Sequence, residues 1–493
     1  MNEASIPASS KALNAATGAA LIAGGAGPGT SAKALEVNLD PATYGSFAEI
    51  GAGQEVARWF FHVGGAARTI AKSTSAYDMA VSDSLYGVAQ RYVSRQRLQA
   101  MLEHEFSQLL ERLGSAKGDG TAFFAFADTV ATRSYTHQGD GRGWLGVRLQ
   151  TRPREVPSDV IVHVNLKDTT ATRQQEALGV LGVNLIHGAY YRHGEPDGLI
   201  GSLMDELSRE RVDVDMIRFS GPAFDGVDNR LMSLQLVEQG LTDAAMFTAA
   251  GDVVQPSDVF YKKPILVERG TFRPVTKLTL DLLAGAREQF MEEPAVKGQE
   301  PVVLMEMTLR DLASGSEVDH ADFLARADIL GALGHDVLIS RFDRYYQLSD
   351  YLAAYTDGMI GIALGLPSLT DIADERYYGD LAGGMLESAG RFFKRSVKVY
   401  AYPLRDAASG RVVTVETLPV QAAWRHLRDF LLETGHLVPI RRYDEHLLSI
   451  FTKDVLARIQ SGDAAWETMV PPVVTQTIKA KRLFGYAQAP ERA

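Results

Sequence analysis

Arginine follows three apolar segments in the second half of the chain, and arginine side chains bind anions. The segments are Val302–Met307 before Arg310, Asp336–Ile339 before Arg341, and Val397–Tyr402 before Arg405. A guanidinium group carries several N–H donors that match the oxygens of carboxylates and phosphates. The candidate ligand-binding residues are therefore those that come directly after the segments: Arg310, Asp311, Ser340, Arg341, Asp343, Arg344, Ser368 and Arg405.

The apolar segments that carry these residues have the lengths of strands, and helical patterns separate them. A fourth segment, Met359–Leu364, leads to Ser368. Short, nearly continuous apolar runs that alternate with helices predict a parallel sheet buried on both faces. Ligands bind beyond the carboxyl ends of the strands in such sheets. We therefore expect an anionic ligand, phosphorylated or nucleotide-like, at the edge where these strands end.

Internal salt bridges are the alternative for the same arginines. Asp311, Asp343 and Asp406 lie beside them in the sequence and can neutralise them without a ligand. The sequence leaves both interpretations open, and it singles out no nucleophile or general base. Whether the chain catalyses a reaction, and with which cofactor, is left open as well.

A second candidate anion site is the turn that contains Ser220, Gly221 and Asp225. It follows an apolar strand and precedes a helix that Asp228 is expected to cap. Free backbone N–H groups at a helix N-terminus attract anions. An ordinary loop between a strand and a helix is the alternative interpretation.

Two glycines earlier in the chain, Gly51 and Gly53, form part of a phosphate-binding pattern. A dinucleotide-binding fingerprint has a third glycine where Val56 stands here. Glycines that permit close packing of the backbone are the alternative explanation.

The composition is that of a globular α/β protein, and it excludes several classes of function. The chain has 493 residues, a formal charge of −11 and no cysteine. The acidic balance argues against dedicated nucleic-acid binding, and the absence of cysteine excludes disulfides and thiolate metal sites. No metal site is predicted. We expect a cytoplasmic protein without a membrane segment.

The chain is too long for one hydrophobic core, so several domains are expected. The predicted fold class is α/β with an α+β N-terminal part. It comprises a mostly parallel sheet flanked by helices, an antiparallel meander and a helical C-terminal appendage. The predicted limits are a flexible arm at 1–34, a mixed domain at 35–295, a parallel α/β domain at 296–420 and a helical region at 421–493.

A non-catalytic, self-assembling protein is the alternative to a metabolite-binding one. The Ala/Gly/Ser-rich N-terminal arm and the apolar C-terminal helices suit subunits that exchange segments. A homo-oligomer is expected in either case.

Residues 44–87, 91–98 and 261–276 resemble a bacterial family whose members carry the names TonB-dependent receptor and nicotinate-nucleotide adenylyltransferase. A receptor of that kind implies a membrane barrel, which needs many alternating ten-residue strands that this chain lacks. An adenylyltransferase implies an α/β fold and two motifs. Its His-x-Gly-His motif is approached by His62-Val63-Gly64-Gly65, and its Ile-Ser-Ser-Thr-x-x-Arg motif by Ile339-Ser340-Arg341-Phe342-Asp343-Arg344. In each motif essential residues differ.

Overall fold

The computed structural model describes residues 28–134, 139–314, 317–393 and 396–486. The chain forms two compact units, Met1–Thr242 and Asp243–Ala493. Residues 1–27 of the predicted arm lie outside the described part, and the chain is helical from Thr30. The predicted limits at 295 and 420 remain predictions.

The first unit is built on a six-stranded sheet in the order β2-β1-β3-β4-β5-β6. Strands β1, β2 and β3 are parallel, and β3 to β6 form an antiparallel meander. The strand bounds are β1 Thr43–Ile50, β2 Ile70–Thr74, β3 Ala122–Ala131, β4 Gly141–Leu149, β5 Ser158–Leu166 and β6 Val212–Ser220.

Seven helices accompany this sheet within the described residues: α1 Thr30–Leu39, α2 Glu55–Val63, α3 Met79–Tyr86, α4 Arg95–Lys117, α5 Ala171–Tyr191, α6 Pro196–Ser202 and α7 Asn229–Glu238. Helix α5 is the central one, because most of its residues from Ala177 to Ala189 are buried. It begins where the Thr170 side chain accepts a hydrogen bond from the Arg173 N–H. Alternating apolar residues of the strands pack against it to form the core.

Gly51 is one of the two glycines that the sequence singles out, and it follows strand β1 directly. Its φ is +102°, and a Cβ built there would lie 1.8 Å from the Val130 carbonyl oxygen. No other residue fits this close approach. The contact supports the packing interpretation of Gly51.

The second unit is built on an eight-stranded sheet in the order β18-β15-β14-β9-β10-β13-β7-β8. The five central strands and β18 are parallel to one another, and β7 is antiparallel to β13. The bounds of all strands of this unit are β7 Ala244–Phe247, β8 Val253–Val254, β9 Ile265–Arg269, β10 Val302–Thr308, β11 Ala313–Ser314, β12 Glu317–Val318, β13 Asp336–Ser340, β14 Ile360–Gly365, β15 Val397–Tyr402, β16 Leu404–Arg405, β17 Val412–Val413 and β18 Leu437–Pro439.

The helices described in this unit are α8 Pro256–Phe260, α9 Lys277–Glu292, α10 Leu309–Leu312, α11 His320–Ala332, α12 Tyr345–Tyr355, α13 Leu366–Ile372, α14 Gly384–Phe392, α15 Ala422–Glu433, α16 Thr452–Ser461 and α17 Pro472–Lys481. Apolar residues of helices α12 and α13 pack on one face of the sheet and form its core. Both helices begin at the carboxyl ends of the strands, so this edge carries side chains from strands and helices together.

The predicted fold class is confirmed: mostly parallel strands flanked by helices, an antiparallel meander and a helical C-terminal region. Val412–Val413 pairs with Leu404–Arg405 in a separate two-stranded hairpin. The sheet also contains β9 between β10 and β14, a strand that the four-segment pattern leaves out. Among the described residues, no helix is long and apolar enough to cross a bilayer.

Candidate functional site

The carboxyl ends of parallel strands β15, β14, β9, β10 and β13 lie along one edge of the second sheet. Arg269 ends strand β9, Arg310 lies two residues beyond β10, and Arg341 follows β13 directly. The Thr308 hydroxyl accepts a hydrogen bond from the Asp311 N–H and so starts the short helix α10 that carries Arg310. This edge is where an α/β sheet normally binds its ligand.

A buried ion pair joins two neighbouring strands just inside this edge. Arg269 and Glu306 are register partners on β9 and β10, with side chains 5% and 0% exposed. The guanidinium donates through Nε to Oε2 at 2.8 Å and through Nη2 to Oε1 at 2.9 Å. The Ser340 hydroxyl on β13 donates to the same carboxylate at 2.6 Å. Three strand ends are therefore tied together by one carboxylate.

The third nitrogen of this guanidinium has no partner. Arg269 Nη1 is buried and makes no hydrogen bond within the described residues. Burial acts to lower the pKa of Arg269, but the adjoining Glu306 carboxylate outweighs it and holds the pKa above its ordinary value. A charged, buried donor without an acceptor is costly, and in native structures it calls for an explanation.

Two tyrosines surround the guanidinium. The Arg269 guanidinium carbon lies 4.4 Å from the centre of the Tyr345 ring. The Tyr377 hydroxyl accepts from the Tyr345 N–H at 3.1 Å and donates to the Asp343 carbonyl oxygen at 3.2 Å. Burial raises the pKa of both tyrosines, and the positive charges of Arg269 and Arg310 oppose this rise at Tyr377. Both phenols are therefore neutral donors at physiological pH.

Tyr377 also lines a cavity of about 480 Å³ at this edge. The lining residues are Arg310, Asp343, Arg344, Asp371, Asp374, Arg376 and Tyr377. We call this the arginine cavity. Its volume falls within the range of roughly 300–1,000 Å³ that small-molecule sites occupy.

The three arginines of the arginine cavity differ in how they are neutralised. Arg376 forms a two-pronged pair with Asp374, and this pair lowers the pKa of that carboxyl to about 2. Arg344 lies over the Tyr377 ring at 4.9 Å and contacts Asp380 at 3.2 Å. Arg310 is exposed and makes no ion pair within the described residues. It is the guanidinium of this cavity that is available to a ligand.

Three of the predicted site residues, Arg310, Asp343 and Arg344, line this cavity. Ser340 and Ser368 are bonded to Glu306 and to Tyr345, which both contact Arg269. The predicted Asp311 carboxylate instead accepts from the Thr308 hydroxyl at 2.7 Å, as part of the helix cap.

The structure does not bring the other two predicted arginines to this cavity. Arg341 lies 3.9 Å from Asp243, which precedes strand β7. Arg405 donates to the Gly410 carbonyl oxygen in its own hairpin and to Glu445. Both residues follow strands that end at the predicted edge of the sheet, but their side chains contact residues outside the arginine cavity. Among the described residues, Arg341 forms no ion pair with Asp343, and Arg405 forms none with Asp406.

The second predicted site, the turn after strand β6, uses its own backbone donors. The Ala223 N–H donates to the Ser158 hydroxyl at 2.9 Å, and the Phe224 N–H to the Gly221 carbonyl at 3.0 Å. The Asp225 N–H donates to the Pro222 carbonyl oxygen at 3.3 Å. Ser220 is the register partner of Asp159 on strand β5. These donors are occupied within the protein, as in an ordinary loop.

The candidate ligand-binding residues predicted from the sequence do not include Arg269, Glu306, Tyr345 and Tyr377. One signal was present: Glu306 stands in an otherwise apolar, buried strand, where a carboxylate needs a cation. The register partner of that strand ends in Arg269. Within the described residues no group of three or more carboxylate or imidazole side chains is placed to hold a metal ion.

No family model matches this chain, and no curated protein matches it. Among solved structures, the competence/damage inducible protein CihA from Agrobacterium tumefaciens has 16% identity and a TM-score of 0.24, over 32% of this chain and 93% of its own. A competence-damaged protein (CinA) superfamily protein from Klebsiella pneumoniae has 12% identity over the same shares, also at 0.24. One from Enterobacter cloacae has 11% identity and a TM-score of 0.23, over 33% of this chain and 92% of its own. Likeness at this level carries no implication for the function of this chain.

Proposed function

We propose that this α/β protein binds a small phosphorylated or carboxylated metabolite in the arginine cavity. The observation that carries the proposal is the unpaired guanidinium of Arg310 on the cavity wall. It stands near Tyr377, which is also within the electrostatic reach of the buried Arg269. The positive charges of Arg269 and Arg310 both act at the Tyr377 hydroxyl, and this favours an anion beside that hydroxyl in the cavity.

The aspartates of the cavity narrow the class of ligand. Asp343 and Asp371 make no ion pair within the described residues, so their oxygens are free to accept hydrogen bonds from a ligand. A ligand with an anionic group and hydroxyl groups satisfies both sides: the phosphate or carboxylate at Arg310, the hydroxyls at the aspartates. A nucleotide or a sugar phosphate has this combination.

The test is a calorimetric titration of the whole chain with inorganic phosphate, adenosine monophosphate and glucose 6-phosphate. Arg310→Gln is expected to weaken binding about tenfold or more, because it removes a charge-assisted contact of roughly 1.4 kcal/mol or more. Arg341→Gln is the matched control, because it removes an exposed arginine from the same edge of the sheet outside the cavity. The control should bind as the unmodified protein does.

Equal loss in both variants would show a general charge effect and would overturn the proposal. So would the absence of binding by all three compounds at millimolar concentration. Free adenosine and glucose serve as the uncharged controls, and binding as tight as that of their phosphates would also contradict an anion site.

We propose self-assembly as the second candidate function. Large apolar side chains are exposed within residues 61–88: Phe61 is 54% exposed, Tyr77 62%, Met79 64% and Val88 87%. Exposed apolar groups of this kind mark interaction surfaces when they cluster. Light scattering of the whole chain measures the particle mass, and a large particle that Met79→Asp and Val88→Asp dissociate would support assembly. A monomer at all concentrations would exclude it.

A further inference from the structure

A second cavity lies at the opposite edge of the same sheet, where the parallel strands begin. Its volume is about 630 Å³, and the residues at the starts of β10 and β13, Val302 and Asp336, form part of its lining. Lys263, just before β9, lies on the same side. We call it the amino-end cavity. It shares no lining residue with the arginine cavity.

Apolar side chains form part of the wall of the amino-end cavity, and several of them are only partly buried. The apolar lining residues are Val259, Leu280, Leu283, Ala284, Val302, Val303 and Leu333. Leu280 and Ala284 lie one turn apart on helix α9 and so face the cavity together. The apolar residues of strands β9 and β14 are almost fully buried, whereas Val303 at the start of β10 is half-buried and lines this cavity, where the apolar part of a ligand would cover it.

Two exposed cations, Lys263 and Arg287, line the cavity and form no ion pair within the described ranges. His335 lies beside them; burial lowers its pKa, and Arg287 adds to this effect. The imidazole is therefore neutral near pH 7, able to donate or accept a hydrogen bond without adding charge.

Two carboxylates limit what the cations can hold. Asp336 is partly engaged, because its Oδ1 accepts from the Ala249 N–H at 3.0 Å. Glu300 is exposed on the rim and would repel a second negative charge. A single negative charge is better suited to this rim than the double charge of a phosphate group.

We propose that the amino-end cavity binds an amphipathic monocarboxylate, with its carboxylate between Lys263 and Arg287 and its apolar part against Leu280. The volume suits a small molecule, and the lining offers both parts of such a ligand a contact: cations for its carboxylate and partly buried apolar side chains for its chain. The inference stands independently of the ligand proposed for the arginine cavity.

The experiment is a calorimetric titration of the whole chain with octanoate, octanol and octylammonium, each below its aggregation concentration. Octanoate is expected to bind with one molecule per chain, about tenfold tighter than octanol, since the carboxylate adds charge-assisted contacts. Arg287→Gln and Lys263→Gln should each weaken octanoate binding about tenfold. Lys297→Gln is the matched control, an exposed lysine outside the cavity lining.

Ala284→Trp is a second, steric variant, because a large side chain at this exposed position of helix α9 would fill the cavity. It should abolish octanoate binding and leave phosphate binding in the arginine cavity unchanged, so the two proposals fail separately. Equal affinity for octanoate and octanol would overturn the inference. Tighter binding of octylammonium, or full binding by the Ala284→Trp protein, would overturn it as well.

Discussion

Each unit of the molecule carries a pair of buried charged residues on adjacent parallel strands, and the two pairs are opposite in kind. In the second unit Arg269 and Glu306 are partners of opposite charge. In the first unit Glu49 on β1 and Asp128 on β3 are register partners of like charge, and both are 0% exposed. In both units the two residues are register partners on adjacent strands, but their charges attract in the second unit and repel in the first.

The two pairs are stabilised differently. The Arg269–Glu306 pair compensates itself and gains a third contact from Ser340. The Glu49 carboxylate instead accepts from the Val56 and Ala57 N–H groups at the start of helix α2, both at 2.9 Å. Asp128 accepts from the Ile50 N–H at 3.1 Å, and its other oxygen has no partner within the described residues. In the part of the chain that the structure describes, no cation forms an ion pair with the acidic pair.

The surroundings of the acidic pair favour the protonated form of its carboxyls. Burial raises the pKa of Glu49 to about 7, and burial together with the Glu49 charge raises the pKa of Asp128 well above its ordinary value. The nearby Glu55 raises the pKa of Glu49 further, and its ion-pair partner Arg58 is 62% exposed. One pair is therefore fixed by charge at all ordinary pH values, while the other depends on pH.

The largest effect is expected when the opposite-charge pair is broken. Arg269→Met leaves the Glu306 carboxylate buried with only the Ser340 hydroxyl, and should lower the local free energy of unfolding by about 3–5 kcal/mol. Hydrogen exchange of the β9 and β10 amides measures this loss. The double change Arg269→Met with Glu306→Met should recover most of it, because paired apolar groups need no compensation. A double variant as unstable as the single one would contradict this account.

Removal of one member of the like-charge pair should stabilise the protein, whereas removal of Arg269 destabilises it. The pKa of Glu49 is 4.5 ordinarily and about 7 in the fold, so the folded state binds more protons between these pH values. The free energy of unfolding therefore falls as pH rises from 4.5 to 7, and stays low above that. Asp128→Asn removes the buried carboxyl whose ionisation is opposed by burial and by Glu49, and it should raise the free energy of unfolding of the first unit at pH 8, with little effect at pH 4.

Hydrogen exchange of the β1 and β3 amides, corrected for the intrinsic effect of pH, tests this prediction. Glu111→Gln is the control, because Glu111 is an exposed acid of the same unit. An Asp128→Asn protein that loses stability at pH 8 would show that the carboxylate is needed in its charged form.

The sequence predicts which strands end at one edge of the second sheet, but it does not predict where the arginine side chains at that edge point. Apolar runs with helices between them identify β10, β13, β14 and β15, and parallel strands must end on one edge. Which arginine reaches the cavity depends on the next few residues: Arg310 is carried by a short helix, whereas Arg405 enters a hairpin. The Thr308 cap is a local signal, but the positions of Asp243 and Glu445 beside Arg341 and Arg405 come from tertiary packing.

Arg269 was missed for a related reason. In the sequence it ends a five-residue strand within a basic segment and is indistinguishable from an exposed residue. Its burial comes from neighbours that are distant in the chain, among them Glu306 and Tyr345. The like-charge pair is hidden in the same way, because Glu49 and Asp128 are brought together by a strand pairing across many residues.

A smaller effect is expected at the hydroxyl that supports the opposite-charge pair. Ser340→Ala removes a hydrogen bond to the Glu306 carboxylate, and should cost about 1–2 kcal/mol. Ser349→Ala is the matched control, because the buried Ser349 hydroxyl donates to a neutral acceptor, the Phe392 carbonyl oxygen, at 3.0 Å. Thermal unfolding of both variants gives the comparison. Equal destabilisation would show that the charge of Glu306 does not strengthen this contact.

The smallest effect is expected at an arginine whose partners are exposed. Arg405 donates to Gly410 and Glu445 at the surface, so Arg405→Ala should change the free energy of unfolding by no more than about 0.5 kcal/mol. Solvent screens this pair, whereas the same kind of side chain at position 269 is held against Glu306 away from water. Chemical denaturation measures the change, and a phosphate titration should be unaffected. A loss as large as that of Arg269→Met would show that burial does not set the difference between these arginines.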